Sequence, residues 1–468
     1  MISSLAEQDL ESRLTLDSTN DSSEHSAITV AVIGATFKTA PIATRENLTR
    51  KITLEKLEKL KKDENLRDCE FAILSTCNRM EIYFACKAIE RVSASLLSLL
   101  KETGQSREFE MFSFRERDAV EHLFSVSAGL DSLVKGEAQI VSQVHDALAQ
   151  AKQYSLAGPV LSLVFQRAVA AGREVRIANP SYANEARNSM SFSIAKFLER
   201  GLSSKDDDLS QIGGPFKPNI LVLGSGKMAK LAVKSLDRQK VGKILLASRR
   251  LPTNDIGADA NISLEEVAPE LRKNTVAVII SAISSDGYVL HPEHLSFHET
   301  EKESASNRRK PLLIVDMSFP RSVDPAVRDM RNVTLYDLDD LARKDVLREA
   351  IESPNQSSYL SHAEELVRRR SYECLQAIKE EDSGVNDILS RLYNAAEDIR
   401  SDEVNAALER MPDLSASDQK ILEVMSQRMV RRILRLPTER LRIIARNESN
   451  EVSSVYLETI QELFSLKD

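Results

Sequence analysis

Cys77 lies in the run Ser75-Thr76-Cys77-Asn78-Arg79-Met80-Glu81, a polar stretch between two apolar ones, Phe71 to Leu74 and Ile82 to Ala85. The flanking runs read as short strands and Asn78-Arg79 as the turn that joins them. This puts a thiol at a strand end with a guanidinium two residues on. A nearby cation favours thiolate over thiol, and the thiolate is the nucleophile. The alternative is a small buried hydrophobe, the reading given to Cys69, Cys86 and Cys374.

A second group of residues is suited to holding phosphate. Asn219 to Leu223 is an apolar strand, Gly224-Ser225-Gly226-Lys227-Met228-Ala229 a glycine-rich turn, and Lys230 to Leu236 the start of a helix. The first two glycines let the backbone bend toward a pyrophosphate, and the helix N-terminus offers it unpaired N–H groups. Further apolar strands follow at Lys243 to Ala247, Val276 to Ile280 and Leu312 to Val315, the order of a Rossmann domain. The second strand ends in Ser248-Arg249-Arg250, where an NAD site usually carries an acidic residue. Arginines there suit a 2′-phosphate, so NADPH is the expected cofactor, against the alternative that they face solvent. The run His291-x-x-His294-x-x-x-His298 reads as a solvated loop, and no metal is expected.

The elements that must position these groups fall into regions. At 468 residues and 42% hydrophobic content the chain is long enough for about three domains. Four cysteines without regular spacing point to a reducing compartment, taken as the cytoplasm, and no apolar run is long enough to span a membrane. With a formal charge of −8, a nucleic-acid partner must be held by local basic patches. Residues 1–27, Ser-rich and acidic, read as a disordered tail. Residues 28–175 form an N-terminal α/β domain: strand Ile28 to Gly34, a helix after Thr39-Ala40-Pro41 carrying Arg45 and Glu46, the strands around Cys77, then mostly helix. His122 sits on the apolar face of one such helix. Residues 176–202 read as a connecting helix segment, 203–337 as the Rossmann domain and 338–468 as an all-helical domain with leucine and isoleucine at helical spacing. Its arginines from Arg428 to Arg446 are either phosphate contacts or a solvated face.

Taken together these motifs resemble glutamyl-tRNA reductase, the first committed enzyme of five-carbon tetrapyrrole synthesis. The resemblance is carried by Thr39-Ala40-Pro41 with Arg45-Glu46, Ser75 to Arg79 with Glu81, and His122 with Gly129-Leu130-Asp131-Ser132. It extends through Gly136-Glu137-x-Gln139-Ile140, the turn from Gly224, Asp316 to Arg321 and Asp337 to Leu341. It implies an N-terminal catalytic domain, a central NADPH-binding domain and a C-terminal dimerisation domain, arranged along a long connecting helix. It also implies attack of Cys77 on the ester of glutamyl-tRNA(Glu), hydride transfer to the resulting thioester, and release of glutamate-1-semialdehyde. Thr76, Asn78, Arg79, Ser132, Glu137, Ala138, Gln139 and Gln143 fall on its substrate-contacting positions, Arg79 on the one that pairs with a substrate carboxylate. His122 falls on a position important for activity, in proton transfer or in orienting the reacting groups. A homodimer, and product transfer to glutamate-1-semialdehyde aminomutase, are further implications. The alternative is a non-catalytic relative that binds tRNA or a protein partner. Residues 177–188 depart from the family pattern, and Pro180 would kink a helix there.

Overall fold

The computed structural model describes residues 27–101, 111–137, 139–178, 190–203, 218–249, 257–295, 311–343, 356–447 and 450–466. Residues 1–26 of the expected tail, residues 179–188 of the altered segment, Ala138, Arg250 and His298 lie outside the described residues. In the N-terminal domain β1 (Thr29–Thr36), β2 (Glu70–Ser75), β3 (Arg79–Cys86) and β4 (Phe112–Arg115) form an antiparallel sheet in the order β2-β3-β1-β4. Helices α1 (Ile42–Lys51), α2 (Leu54–Leu60) and α3 (Ile89–Lys101) flank it, followed by α4 (Glu116–Ser127), α5 (Gln139–Gln153) and α6 (Pro159–Ile177). In α5 the apolar residues Ile140, Val141, Val144, Ala147, Leu148 and Ala151 recur at helical spacing and are buried. The Glu70 carboxylate accepts the otherwise unpaired N–H groups of Val160 and Leu161 at the start of α6, at 3.0 and 2.6 Å.

The central domain is a six-stranded parallel sheet. Its strands are β5 (Asn219–Leu223), β6 (Lys243–Ser248), β7 (Ala260–Ser263), β8 (Val276–Ser281), β9 (Leu312–Asp316) and β10 (Val333–Tyr336), in the order β10-β9-β8-β5-β6-β7. Chain order reverses between β5 and β8, which opens a crevice at the carboxyl ends of those two strands. Both faces are covered, one of them by α7 (Met190–Ser203) and α8 (Lys227–Gln239). The edge strands β7 and β10 had no counterpart in the sequence reading: at four residues each they are too short for periodicity to register.

Two boundaries shift. Met190, Ile194, Ala195 and Leu198 of α7 belong to the central core, so the helical part of 176–202 is a structural layer of that domain. The short helices α9 (Val267–Arg272) and α10 (Leu338–Arg343) also belong here, and Leu338 and Leu341 pack into the same core. The long connecting helix is α11 (Gln356–Asp382), whose Tyr359, Ala363, Leu366, Val367, Cys374 and Ile378 complete the core of the N-terminal domain against α4 and α6. Beyond it, α12 (Val385–Arg410), α13 (Ala416–Asn447) and α14 (Asn450–Leu463) share a small core around Val385, Ile388, Leu389, Leu441, Ala445 and Leu457.

Candidate active site

The hairpin between β2 and β3 closes one residue earlier than the sequence suggests. Ser75 pairs with Met80, the Thr76 N–H donates to the Arg79 carbonyl at 2.8 Å, and the central residues of the turn are Cys77 and Asn78. Arg79 is already the first residue of β3. The Asn78 N–H donates to Thr76 Oγ1 at 3.1 Å and the Asn78 carbonyl accepts from the Phe37 N–H at 2.8 Å, which ties the thiol-bearing turn to β1.

Arg79 does not activate the thiol as expected. Its guanidinium turns away to Glu81 Oε1 at 2.7 Å, the Asp131 carbonyl at 2.5 Å and Asp131 Oδ2 at 3.2 Å. Burial pushes the Cys77 thiol up to about 12, the nearby Glu137 carboxylate adds to this, and Arg45 and Arg79 oppose it too weakly. The resting sulfur is therefore a thiol and needs a base. Glu81 is the centre of the buried cluster: it also accepts from Tyr83 Oη at 2.8 Å and lies 2.9 Å from His122 Nε2. Space for its side chain is provided by Gly34, directly opposite on β1, where an added Cβ would sit 2.8 Å from Glu81 Cγ. His122, packed against the mutually touching rings of Phe112 and Phe114, borders a separate cavity of about 530 Å³ with Lys38 and Asp131. It does not line the thiol pocket; its contact with the pocket residue Arg79 runs through Glu81.

The thiol pocket, about 300 Å³, is lined by Ser75, Thr76, Cys77, Asn78, Arg79, Ser132, Glu137, Gln139, Ile140 and Gln143 from the N-terminal domain. Met190, Met228, Met317 and Phe319 close it from the central domain. Seven of the eight substrate positions implied by the resemblance are thus gathered around Cys77, and the eighth, Ala138, is not described. Gln139 and Gln143 are one turn apart on α5 and share a face. Two buried polar atoms of the pocket residues, Arg79 Nε and Asn78 Oδ1, have no hydrogen-bond partner. Met228 was expected only at the cofactor turn, and the reach of all four into the thiol pocket was not legible, because nothing local marks a Met or Phe as reaching another domain.

Arg45 explains how the two domains meet at the thiol. Fully buried, it donates from Nη1 to the Cys77 carbonyl at 3.0 Å and from Nη2 to Asp339 Oδ1 at 2.5 Å, while Asp339 Oδ2 accepts from the Ile42 N–H at 2.7 Å. Asp339 is free for this because its neighbours cap α10: Asp337 Oδ1 accepts the N–H groups of Asp339 and Asp340, and Asp340 Oδ2 accepts that of Asp337. The next residue on α1, Glu46, takes the Arg321 N–H at 2.5 Å and its guanidinium at 2.9 Å. The loop that supplies Arg321, Met317 and Phe319 is shaped by Asp316, whose carboxylate accepts from the N–H groups of Ser318, Ser322 and Val323.

The crevice between β5 and β8 holds about 650 Å³, lined by Gly224, Ser225, Gly226, Lys227, Met228, Ser248, Arg249, Ala282, Ile283 and Ser284. Gly224 adopts φ +115°, and an added Cβ would lie 2.5 Å from the Ala282 carbonyl oxygen. At Gly226, the residue before α8, an added Cβ would meet open space and no side chain caps the helix, so its first N–H groups remain available to a pyrophosphate. Ala229 is buried beneath the turn and serves packing rather than contact. Ala282, Ile283 and Ser284 were missed, since they follow the apolar strand β8 without a motif of their own. Met228 lines both cavities.

Models of known families match in three consecutive blocks. The N-terminal domain of glutamyl-tRNA(Glu) reductase matches residues 33–178, shikimate/quinate 5-dehydrogenase matches 210–344, and the dimerisation domain of glutamyl-tRNA(Glu) reductase matches 362–466. A glutamyl-tRNA reductase of Prochlorococcus marinus (strain AS9601) is 30% identical over 453 residues, 93% of this chain and 98% of that protein. This chain belongs to the glutamyl-tRNA reductase family. Its namesake in Synechococcus sp. (strain CC9902) is 30% identical over 454 residues, 93% and 99% of the two chains. The solved glutamyl-tRNA reductase of Methanopyrus kandleri aligns with 93% of this chain and 99% of its own, at 24% identity and a TM-score of 0.41. Like other members of the family, the chain is a three-domain enzyme whose middle domain is dehydrogenase-like and takes a nicotinamide cofactor.

Proposed function

We propose that this chain reduces glutamyl-tRNA(Glu) to glutamate-1-semialdehyde through a thioester on Cys77, with NADPH as reductant. The observation that carries the proposal is the single wall, Met228, shared by the thiol pocket and the cofactor crevice. An acyl group on Cys77 then lies next to the site from which hydride arrives. The thiol attacks the ester carbonyl that joins glutamate to the tRNA 3′ end, forming a C–S bond and releasing tRNA. The unpaired Arg79 Nε–H suits an oxygen of the glutamyl group and Asn78 Oδ1 suits an N–H, so substrate satisfies groups that the protein leaves unmatched. Bound in the crevice, NADPH supplies the hydride that converts the thioester to the aldehyde. Gly224 to Lys227 and the start of α8 would hold its pyrophosphate, and Arg249 its 2′-phosphate.

Met317 and Phe319 close the pocket with apolar surface, which limits the water able to hydrolyse the thioester. A non-catalytic relative has no physical need for this closure. The four cysteines are unpaired, which suits a reducing compartment such as the cytoplasm, and among the described residues no helix is long and apolar enough to cross a membrane. On α13, Ile421, Met425, Met429, Ile433 and Leu436 are exposed at helical spacing, a stripe suited to a homodimer contact. The aldehyde would pass to glutamate-1-semialdehyde aminomutase. In single-turnover reactions with glutamyl-tRNA and NADPH, Cys77→Ser is expected to give neither semialdehyde nor a trapped acyl-enzyme; product formation by this variant would refute the proposal.

A further inference from the structure

Both halves of this reaction move a proton as well as an acyl group or a hydride, and the residue expected to move it is badly placed. His122 borders the other cavity and its Nε2 is engaged with Glu81. Among the described residues lining the thiol pocket, only Cys77, Arg79 and Glu137 are ionisable. A guanidinium does not release its proton at neutral pH. Cys77 is itself the reacting group. We propose that Glu137 is the proton carrier of the active site, taking the thiol proton as sulfur attacks, delivering it to the departing 3′ oxygen, and reprotonating the sulfur when the aldehyde leaves.

The inference rests on the reaction proposed above, and its balance is complete. In the first half the S–C bond forms, the C–O bond to the tRNA 3′ carbon atom's oxygen breaks, and the thiol proton ends on the tRNA hydroxyl. In the second, hydride from NADPH adds to the carbonyl carbon, the C–S bond breaks, and sulfur takes a proton from Glu137, which is refilled from water. NADPH is oxidised to NADP+ and the acyl group is reduced to the aldehyde.

The surroundings of Glu137 suit the task. It follows Gly136, at φ +79°, in the turn leading into α5, on the pocket side of the N-terminal domain. Its backbone is anchored, because Arg176 of α6 donates to the Glu137 carbonyl at 2.6 Å. Three charged or titratable groups face it: Cys77 across the pocket, Arg176, and Lys227 at the start of α8. Burial pushes its carboxyl up to about 7, and the two cations, Arg176 first, oppose this only in part. A carboxyl poised there exchanges protons readily in both directions at neutral pH. The same burial supplies an independent readout. A carboxyl with a raised value penalises folding increasingly as pH climbs from about 4.5 to 7, so a neutral isostere should be stabilising above pH 7.

The test uses the full chain with glutamyl-tRNA and NADPH, following acylation of Cys77 and semialdehyde formation separately. In the wild type the acylation rate should rise with pH through about 7. Glu137→Gln should lower both rates by about 10²- to 10⁴-fold with KM for glutamyl-tRNA changed much less, and abolish the limb near 7. Its acylation should recover toward pH 10, where the thiol begins to ionise unaided. At pH 8 its melting temperature should equal or exceed that of the wild type, with any gain fading toward pH 5. A Glu137→Gln chain that keeps its rates within about threefold, or loses only in KM, overturns the proposal. So does a wild-type acylation rate that is flat from pH 6 to 8, however the variant folds. If the wild type neither acylates Cys77 nor makes the semialdehyde, the reaction itself falls, which is a separate and recognisable result.

Discussion

At the scale of residues, the buried Arg79–Glu81–His122–Tyr83 cluster behaves as one unit. Burial pushes the Glu81 carboxyl up, but the Arg79 guanidinium and the His122 and Tyr83 contacts hold it down at about 2. Because its folded value lies below the ordinary 4.5, its contribution to stability is complete above pH 4.5 and is lost as pH falls through about 2. Glu81→Gln would leave the buried Arg79 guanidinium with only its Asp131 contacts as a counter-charge, a loss of about 1–3 kcal/mol. Urea midpoints at pH 7 should show this deficit, and it should narrow as the medium is made acidic toward pH 3; an unchanged midpoint at pH 7 would contradict the cluster's role. The residue types at Cys77, Arg79, Glu81 and His122 could be read from the chain, but their pairing could not. The sequence places Arg79 two residues from the thiol, yet β-strand geometry sends side chains at 79 and 81 to the same face, so the carboxylate two positions on captures the guanidinium instead.

Among elements, β5, its glycine turn and α8 were legible because strand, turn and helix follow one another without interruption, and the local conformation carries the function. Arg249 shows the limit of that legibility. It follows β6 directly, lines the crevice and donates from Nη2 to the Ser284 carbonyl at 3.2 Å, so its position over the crevice depends on the loop after β8, 35 residues away in sequence. Arg249→Ala is expected to raise KM for NADPH by roughly tenfold, the loss of about one charged hydrogen bond, and to leave KM for NADH nearly unchanged. Steady-state kinetics with both cofactors decide it: equal effects would refute the 2′-phosphate assignment. The edge strands and the four-residue β4 escaped notice for the opposite reason, being too short for a pattern.

For the whole molecule, the decisive feature is the pair of buried contacts between α1 and the central domain, Arg45 with Asp339 and Glu46 with Arg321. They give one physical meaning to three separate motifs: the helix after Thr39-Ala40-Pro41, the loop from Asp316 to Arg321 and the cap from Asp337 to Leu341. Through the Cys77 carbonyl, Arg45 also makes the thiol turn respond to the central domain. Asp339→Ala should therefore lower kcat by at least tenfold while NADPH affinity, measured by fluorescence titration, stays within about threefold, because no crevice residue is touched. It should also cost about 3 kcal/mol or more, since Arg45 loses its buried partner. An equal loss of NADPH binding would show that Asp339 supports the crevice instead.

What the amino-acid sequence determined by itself was everything carried by local order: the thiol in a hairpin, the phosphate-binding turn, the helical C-terminal region and the family motifs. These follow from turn chemistry and from periodicities of two and 3.6 residues, which act over a few neighbours. Tertiary structure alone decided that Cys77 rests as a thiol, that His122 faces another cavity, that Met228 joins the two sites, and that Glu137 is buried beside Arg176 and Lys227. Those outcomes depend on burial and on charges brought together across dozens to hundreds of residues, and neither quantity is written in the spacing of the chain.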